Sequence, residues 1–432
     1  MAAAEIAGAA LRVRCMACGR ETAADGPIST CTACGGLLDA VVDIRPGLTR
    51  ADFGQGLPKR LRGSGVWRYR ALLPALPDDA IVTRSEGNTP TYWDERIAAY
   101  AGVASMGLKH EGQNPTASFK DRGMTGGVSH AKAVGARVVA CASTGNTSAS
   151  LASYASAAGL AGLVLIPEGK ISAGKLSQTI AYGAKVVQVA GDFDRALALL
   201  RELVDNYPVY LLNSVNPFRL EGQKTILYEM FEQLDWEIPD VVSLPGGNLG
   251  NTAAFGKALI DLQAAGLIDK LPRLVTSQAA GSAPFAHYYA RGFADWQPVH
   301  AETIATAIKV GDPASVARAQ RAIELTNGIV TSVTDEEILD AKAVIDRAGI
   351  GCEPASAASL AGVRKLVASG QIAKDATVVG VLTGHVLKDA DAVMMYHTQD
   401  VNGQPRANAN RPVSIPASLS ALVEVLGDAL QG

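Results

Sequence analysis

Residues 137–158 read RVVACASTGNTSASLASYASAA. An apolar run, RVVACA, stops at five small or polar residues, Ser143 to Thr147, and an Ala-rich stretch of helical length follows. A strand buried on both faces shows no period-two alternation, because both pleat faces need apolar side chains. The same grammar recurs on either side. VASMGLK (103–109), GLVLIP (162–167), KVVQVA (185–190), VYLLN (209–213), DVVSLP (240–245), RLVTSQ (273–278) and TVVGVLTG (377–384) read as further buried strands. Helical stretches are expected at 120–134, 147–158, 193–206 and 251–265. Strand and helix in alternation predict an α/β protein with mostly parallel sheet covered by helices. Eight or so strands fit one large or two smaller open sheets, with a closed eight-strand barrel as the competitor by count.

The chain has 432 residues, 48% hydrophobic and 19% charged. That length suggests two or three domains, and that apolar content excludes disorder as the dominant state. A net charge of −3 excludes a global basic field for nucleic acid or anionic membrane. No run of about 20 apolar residues offers a transmembrane span. In the leader, MAAAEIAGAALRVRC, the arginines follow the small-residue stretch, the reverse of a signal peptide, so a cytoplasmic location is expected. The 44 glycines against 5% aromatics suit tight βα connections rather than a repetitive fibre, since no fixed period is visible. Residues 46–80, rich in Pro and Gly, read as irregular linker pinned by Trp67 and Tyr69. The tail from 391 ends in SLSALVEVLGDAL, a closing helix by pattern.

Cys15, Cys18, Cys31 and Cys34 form two C-x2-C pairs twelve residues apart. Each pair can present two sulfurs to one ion, and Gly19, Gly35 and Gly36 follow where a knuckle needs positive φ. A structural zinc ribbon is expected, since four protein ligands leave no open coordination position. Arg12, Arg14 and Arg20 make a small basic cluster there, so a nucleic-acid or protein binding module is a reading to weigh, but no aromatics interleave with it. Cys141 and Cys352 lie in apolar runs and read as buried.

Four segments place polar residues where a strand meets a helix, the usual ligand edge of an open α/β sheet. In GLKHEGQNPTASFKDRG (107–123), Lys120 follows Phe119; a desolvated lysine amine can condense with an aldehyde cofactor, although most helix lysines are simply solvated. Ser143 to Thr147 offer hydroxyls and N–H groups for an anion, or plain helix caps. LPGGNLGNTAAFGKA (244–258) has glycines that let a backbone wrap a phosphate at a helix start, or make a tight turn. In VLTGHVLKD (381–389), the Thr383 hydroxyl could meet a neutral ring nitrogen or cap a turn.

Taken in order, TRSEGNTP (83–90), ASFKDRGM (117–124), ASTGNTSAS (142–150), NSVNPFRLEGQKT (213–225), PGGNLGN (245–251), EPASAAS (353–359) and LTGHVLKD (382–389) resemble the fold-type II pyridoxal-phosphate enzymes, related to the tryptophan synthase β chain, and within them the threonine synthases. The resemblance implies two open, mostly parallel sheets behind an N-terminal zinc ribbon. It implies a ribbon leader at 1–45, a large domain from 46–110 and 215–432, and a small mobile α/β domain at 111–214. It implies pyridoxal 5′-phosphate on Lys120 as a Schiff base, with Asn146 at the 3′-hydroxyl. Gly247, Asn248, Leu249, Gly250 and Asn251 would sit around the phosphate, and Thr383 would face the pyridine nitrogen and leave it largely unprotonated. Ser143, Thr144 and Arg219 would bind the substrate's carboxylate or phosphate. The implied reaction converts O-phospho-L-homoserine and water to L-threonine and phosphate. A related lyase or β-replacing enzyme, such as a cysteate synthase or a threonine/serine dehydratase, shares these motifs. The expected partner is a small molecule, not nucleic acid or membrane, and a homodimer stays open.

Overall fold

The computed structural model describes residues 11–169 and 173–427. The first ten residues of the leader and residues 428–432, which include the last three positions of the expected closing helix, lie outside the described residues. One compact unit ends at Lys388 and a second runs from Asp389.

The first unit holds three sheets. The ribbon is antiparallel, with Arg12–Cys15 between Glu21–Ala23 and Leu38–Val41. The largest sheet has the order Ile329–Val333, Arg273–Ala279, Val241–Pro245, Thr377–Leu382, Ser105–His110 and Thr91–Trp93. All its pairings are parallel except that of the Thr91–Trp93 edge. The third sheet is parallel throughout, in the order Lys185–Val189, Ala161–Pro167, Val138–Ala142 and Val209–Leu211. Two open sheets stand where the barrel would have been. The Thr377–Leu382 strand shows why its sequence is apolar without alternation. Val379 and Val381 enter the core shared with Phe255 and Leu259, while Val378 and Leu382 enter the core shared with Leu360 and Val363.

Two strands of the largest sheet were absent from the sequence reading. Thr91–Trp93 is a short edge strand with Tyr92 and Trp93 exposed, and Ile329–Val333 carries Thr331 and Ser332 within its five residues. Helices form at Lys120–Ala133, Asn146–Ala158, Phe193–Asn206 and Gly250–Ala265, close to the expected stretches. The helix Pro217–Gln233 has a different sequence logic: it is buried from Pro217 to Glu232 and so has no polar face to create a period. It crosses the Lys120–Ala133 helix at glycine. A Cβ on Gly222 would lie 1.7 Å from the Arg122 carbonyl oxygen, so no side chain fits there. Trp67 and Tyr69 pin the 46–80 segment as expected: Trp67 Nε1 donates to Thr125 Oγ1 at 2.8 Å, and the Tyr69 hydroxyl donates to Glu232.

The second unit contains helices Ala390–Thr398 and Leu419–Leu426. Its turns are closed by Arg406 Nη1 donating to the Gln399 carbonyl at 2.8 Å and by an Arg411–Asp400 ion pair. No helix among the described residues is long and apolar enough to cross a membrane.

Candidate active site

Lys120 opens its helix at the end of a loop tied to the last strand of the large sheet. Phe119 N donates to the Thr383 carbonyl at 3.0 Å, and His385 N donates to the Ala117 carbonyl at 3.1 Å. Ala117 adopts φ 65°, strained for a residue with a Cβ, and the two ties hold it there. The Lys120 amine lies 3.6 Å from the centre of the Phe119 ring. Burial lowers its pKa to about 7; Arg219 pushes the same way, and Glu353 opposes both.

The amine opens on a cleft whose walls include Asn146, Arg219, Glu353 and Thr383. The Gly247–Asn251 turn forms another wall. That turn leaves the Val241–Pro245 strand, with Gly246 N donating to the Ser277 carbonyl at 2.8 Å, and enters the Gly250–Ala265 helix. Leu249 at the junction has φ 61°, a second strained residue on the cavity wall. Gly247 passes so near the Ala307 carbonyl oxygen that a Cβ would sit 3.1 Å from it. The first N–H groups of a helix lack intrahelical acceptors, so this wall presents donors and the positive end of a dipole. Asn251 adds a buried Oδ1 with no protein partner. Arg219 is buried; its Nη1 donates to the Leu212 carbonyl at 2.9 Å and its Nε has no protein partner. Burial lowers its pKa to about 10, with Cys141 opposing. A cation with an unsatisfied donor, a half-neutralised lysine and a helix start together favour an anionic ligand.

Of the expected residues, the fold gathers Lys120, Asn146, Arg219, Gly247–Asn251 and Thr383 around one cavity. Ser143 and Thr144 are half-buried in the turn before Asn146 and are not among its lining residues. Sequence reasoning overlooked Ser214, Gln223 and Glu353 as wall residues. All three lie inside quoted motifs, and an acid directly before the Pro354 helix start was the available signal for Glu353.

A buried ion network steadies the loop opposite. Arg122, two residues after Lys120, donates from Nε to Glu111 at 2.7 Å and from Nη2 to Glu229 at 2.8 Å. Lys109 Nζ reaches Glu229 at 2.6 Å. Glu229 also accepts from Asn88 N and Thr89 N, which fixes the SEGNTP loop. Burial alone would raise Glu229, but Arg122 and Lys109 hold it down at about 2.

In the ribbon, the four sulfurs of Cys15, Cys18, Cys31 and Cys34 lie within 4.8 Å of one another. Backbone N–H donors from Cys18 and Ala17 lower Cys15 to about 6, and neighbouring thiols raise Cys34 to about 12. Gly19 and Gly35 have φ of 72° and 73°, as the knuckles demand. Gly36 departs from that expectation. Its φ is not left-handed, and it is needed because a Cβ would lie 2.9 Å from Cys15 Sγ.

This arrangement of a lysine, a glycine turn at a helix start and a hydroxyl after the central strand belongs to a known class. Residues 82–384 match the family model described as Pyridoxal-phosphate dependent enzyme. The chain is 43% identical over 415 residues to threonine synthase of Methanocaldococcus jannaschii, covering 96% of this chain and 98% of that protein. It is 46% identical over 384 residues to threonine synthase of Methanosarcina acetivorans, covering 88% and 93%. The crystal structure of threonine synthase from Escherichia coli superposes with a TM-score of 0.68 at 20% identity, covering 96% of this chain and 99% of that one, a likeness of fold. The chain belongs to the pyridoxal-phosphate dependent enzymes, in the branch formed by the threonine synthases.

Proposed function

We propose that the cavity binds pyridoxal 5′-phosphate and converts O-phospho-L-homoserine and water to L-threonine and phosphate. The observation that carries this is the convergence of a depressed lysine amine, a helix-start glycine turn and the buried, under-satisfied Arg219 on one cavity. Those residues fit the cofactor: the helix-start N–H groups of the turn and the amide Nδ2 of Asn251, not its oxygen, suit its phosphate, Lys120 its carbonyl, Asn146 its 3′-hydroxyl and Thr383 its ring nitrogen.

When bound, the cofactor supplies an electron sink that acidifies the substrate's Cα–H. The chain's own residues do the rest. Lys120 Nζ, with a pKa of about 7, is substantially a free base at neutral pH and takes the proton from Cα and then from Cβ. Phosphate leaves from Cγ toward the Arg219 guanidinium, which burial keeps poorly compensated and therefore strongly attractive to growing negative charge. The hydroxyls of Ser143 and Thr144, which lie outside the cavity lining, would reach the carboxylate or phosphate end once the small domain closes. Lys120 returns the two protons, one to Cγ to make the methyl group and one to Cα, while water gives its hydroxyl to Cβ and its remaining proton to the departed phosphate. Residues 111–214, which carry the four-stranded sheet, act as the small domain that moves over the substrate.

The four cysteines fit zinc by donor chemistry and by sulfur spacing. Zinc there is structural. Arg12 and Arg14 are engaged by Glu21 and Asp43, which favours a ribbon docked on its own chain over one reaching for nucleic acid. The apolar side of the ribbon, Val13, Leu38 and Ala40, packs with Phe218 of the body.

The test is phosphate release from O-phospho-L-homoserine and, separately, from O-phospho-L-serine. Release with threonine formation from the first alone supports the reading; preference for the second would transfer the chain to the β-replacing enzymes. Borohydride reduction and peptide mapping should place a pyridoxyl label on Lys120, and Lys120→Ala should lose label and turnover together.

A further inference from the structure

The ribbon meets the wall of the active site at one side chain. Its apolar core, which includes Val13, Leu38 and Ala40, takes a single buried residue from the body among the described residues, Phe218. Phe218 is 1% exposed, and its ring stacks on His130 with centroids 3.5 Å apart. His130 is tied to the ribbon as well. Its Nε2 lies 2.9 Å from the Ala24 carbonyl, which only accepts, so this nitrogen is the donor.

The next residue is Arg219. Neighbours on a helix point about 100° apart. The backbone that seats Phe218 in the ribbon therefore also directs Arg219 into the cleft. Among the described residues the guanidinium has one hydrogen bond, from Nη1 to the Leu212 carbonyl at 2.9 Å. The facing helix is smooth here. A Cβ on Gly126 would lie 2.5 Å from the Phe218 carbonyl oxygen, and one on Gly127 would lie 3.1 Å from Arg219 Cγ. Glycine admits the close approach but supplies no ridge to fix the helix start sideways. The fixing comes from either side of Arg219 along the chain. Asn216 caps the helix, its Oδ1 accepting from Phe218 N at 3.0 Å and Arg219 N at 3.2 Å. Glu221 pairs with Lys257, whose Nζ also donates to the ribbon's Ala40 carbonyl at 2.5 Å.

We infer that Phe218 is a positioning residue through which the ribbon aims Arg219 at the substrate's phosphate, so that the four-cysteine module sets the affinity of the site for a phosphate-bearing substrate. This rests on the proposed role of Arg219 at the departing phosphate. The proposed seats of the cofactor, the Lys120 loop and the Gly247–Asn251 turn, lie on other segments, so its retention is the internal control.

The experiment titrates inorganic phosphate into the full-chain holoenzyme by calorimetry, with cofactor content read from its absorbance in the same samples. Arg219→Leu sets the scale and should lose most of the phosphate affinity. Phe218→Leu should weaken phosphate by about tenfold, the cost of a misaimed group, with cofactor content unchanged. Leu38→Ala, trimmed from the ribbon side, should weaken it in the same direction. Arg12→Ala, which breaks only the exposed pairing with Glu21 and Asp43, should bind as the wild type does. No phosphate binding to the wild type, or wild-type affinity in Arg219→Leu, removes the proposed role of Arg219 and the inference with it. A loss in Arg219→Leu that neither Phe218→Leu nor Leu38→Ala shares overturns the inference alone. So does loss of cofactor in step with phosphate, or an equal loss in Arg12→Ala, since a merely structural role would produce either.

Discussion

Lys120 and Arg219 share a desolvated cavity, and each makes the other's charge more costly. A lysine with a pKa of about 7 should capture the cofactor carbonyl with a pH profile far from that of an ordinary lysine. Its protonated form dominates below pH 7 and its reactive form above. The rate of holoenzyme formation from apoprotein should therefore rise about tenfold per unit up to about pH 7 and flatten there. Stopped-flow absorbance would show this, and a rise continuing toward pH 10 would contradict the lowered pKa. Arg219→Leu removes the guanidinium proposed to face the departing phosphate. We expect kcat to fall by roughly 10²-fold or more, with the protein still folded and still able to take up cofactor, measured by steady-state phosphate release.

At the level of helices, the Lys120–Ala133 segment is held from two sides. Arg122→Met would leave Glu111 and Glu229 buried without their shared cation. The expected loss is about 3–5 kcal/mol in urea unfolding, because Glu111 loses its ion partner while keeping its desolvation cost, and Glu229 is left with Lys109 as its cation. Near the other end of the helix, His130 is stacked on Phe218 at 3.5 Å and has Tyr210 Oη at 2.6 Å and the Ala24 carbonyl at 2.9 Å as ring-nitrogen partners. Burial lowers its pKa to about 4. The unfolded chain takes up the proton near pH 6.5, whereas the folded chain resists until about pH 4. This contribution is therefore complete above pH 6.5 and is lost as pH falls toward 4, by about 3 kcal/mol in all. His130→Gln should flatten that part of the stability profile.

These same elements show what a single sequence could reveal. The strands and the glycine turn were legible because their cues are local: an apolar run, then small residues, then a helix. The C-x2-C pairs were legible because ligand spacing is local as well. Pro217–Gln233 was not, since a helix buried on every side has no amphipathic period. The place of Glu353 on the cavity wall was hidden for another reason. Its partners Asn146 and Thr383 are remote in the chain, and the local cue, an acid before the Pro354 helix start, says nothing of what it meets.

Across the first unit, the ribbon is anchored by charged side chains of the body. Arg318 Nη2 donates to the Leu38 carbonyl, Arg321 Nη2 meets Asp39 at 2.8 Å and Lys257 Nζ reaches the Ala40 carbonyl at 2.5 Å. Phe218 of the body adds an apolar link by packing with Val13, Leu38 and Ala40 of the ribbon. Stripping metal with a mercurial should release one zinc per chain, detectable with a chromogenic chelator, and should lower Tm. Cys31→Ser should do the same without the reagent. Unchanged Tm after complete release would mean that the body holds the ribbon unaided.

The middle of the largest sheet joins Ser105–His110 to Thr377–Leu382, an early strand to a very late one. Thr383 follows the second of these directly, and the Lys120 loop is stitched to it. A ribosome must therefore deliver the chain as far as Thr383 before the pocket can close, and a nascent chain stopped short of residue 377 should have a lysine with nothing opposite it. Premature termination then yields a product unable to capture its prosthetic group, rather than a partly active enzyme.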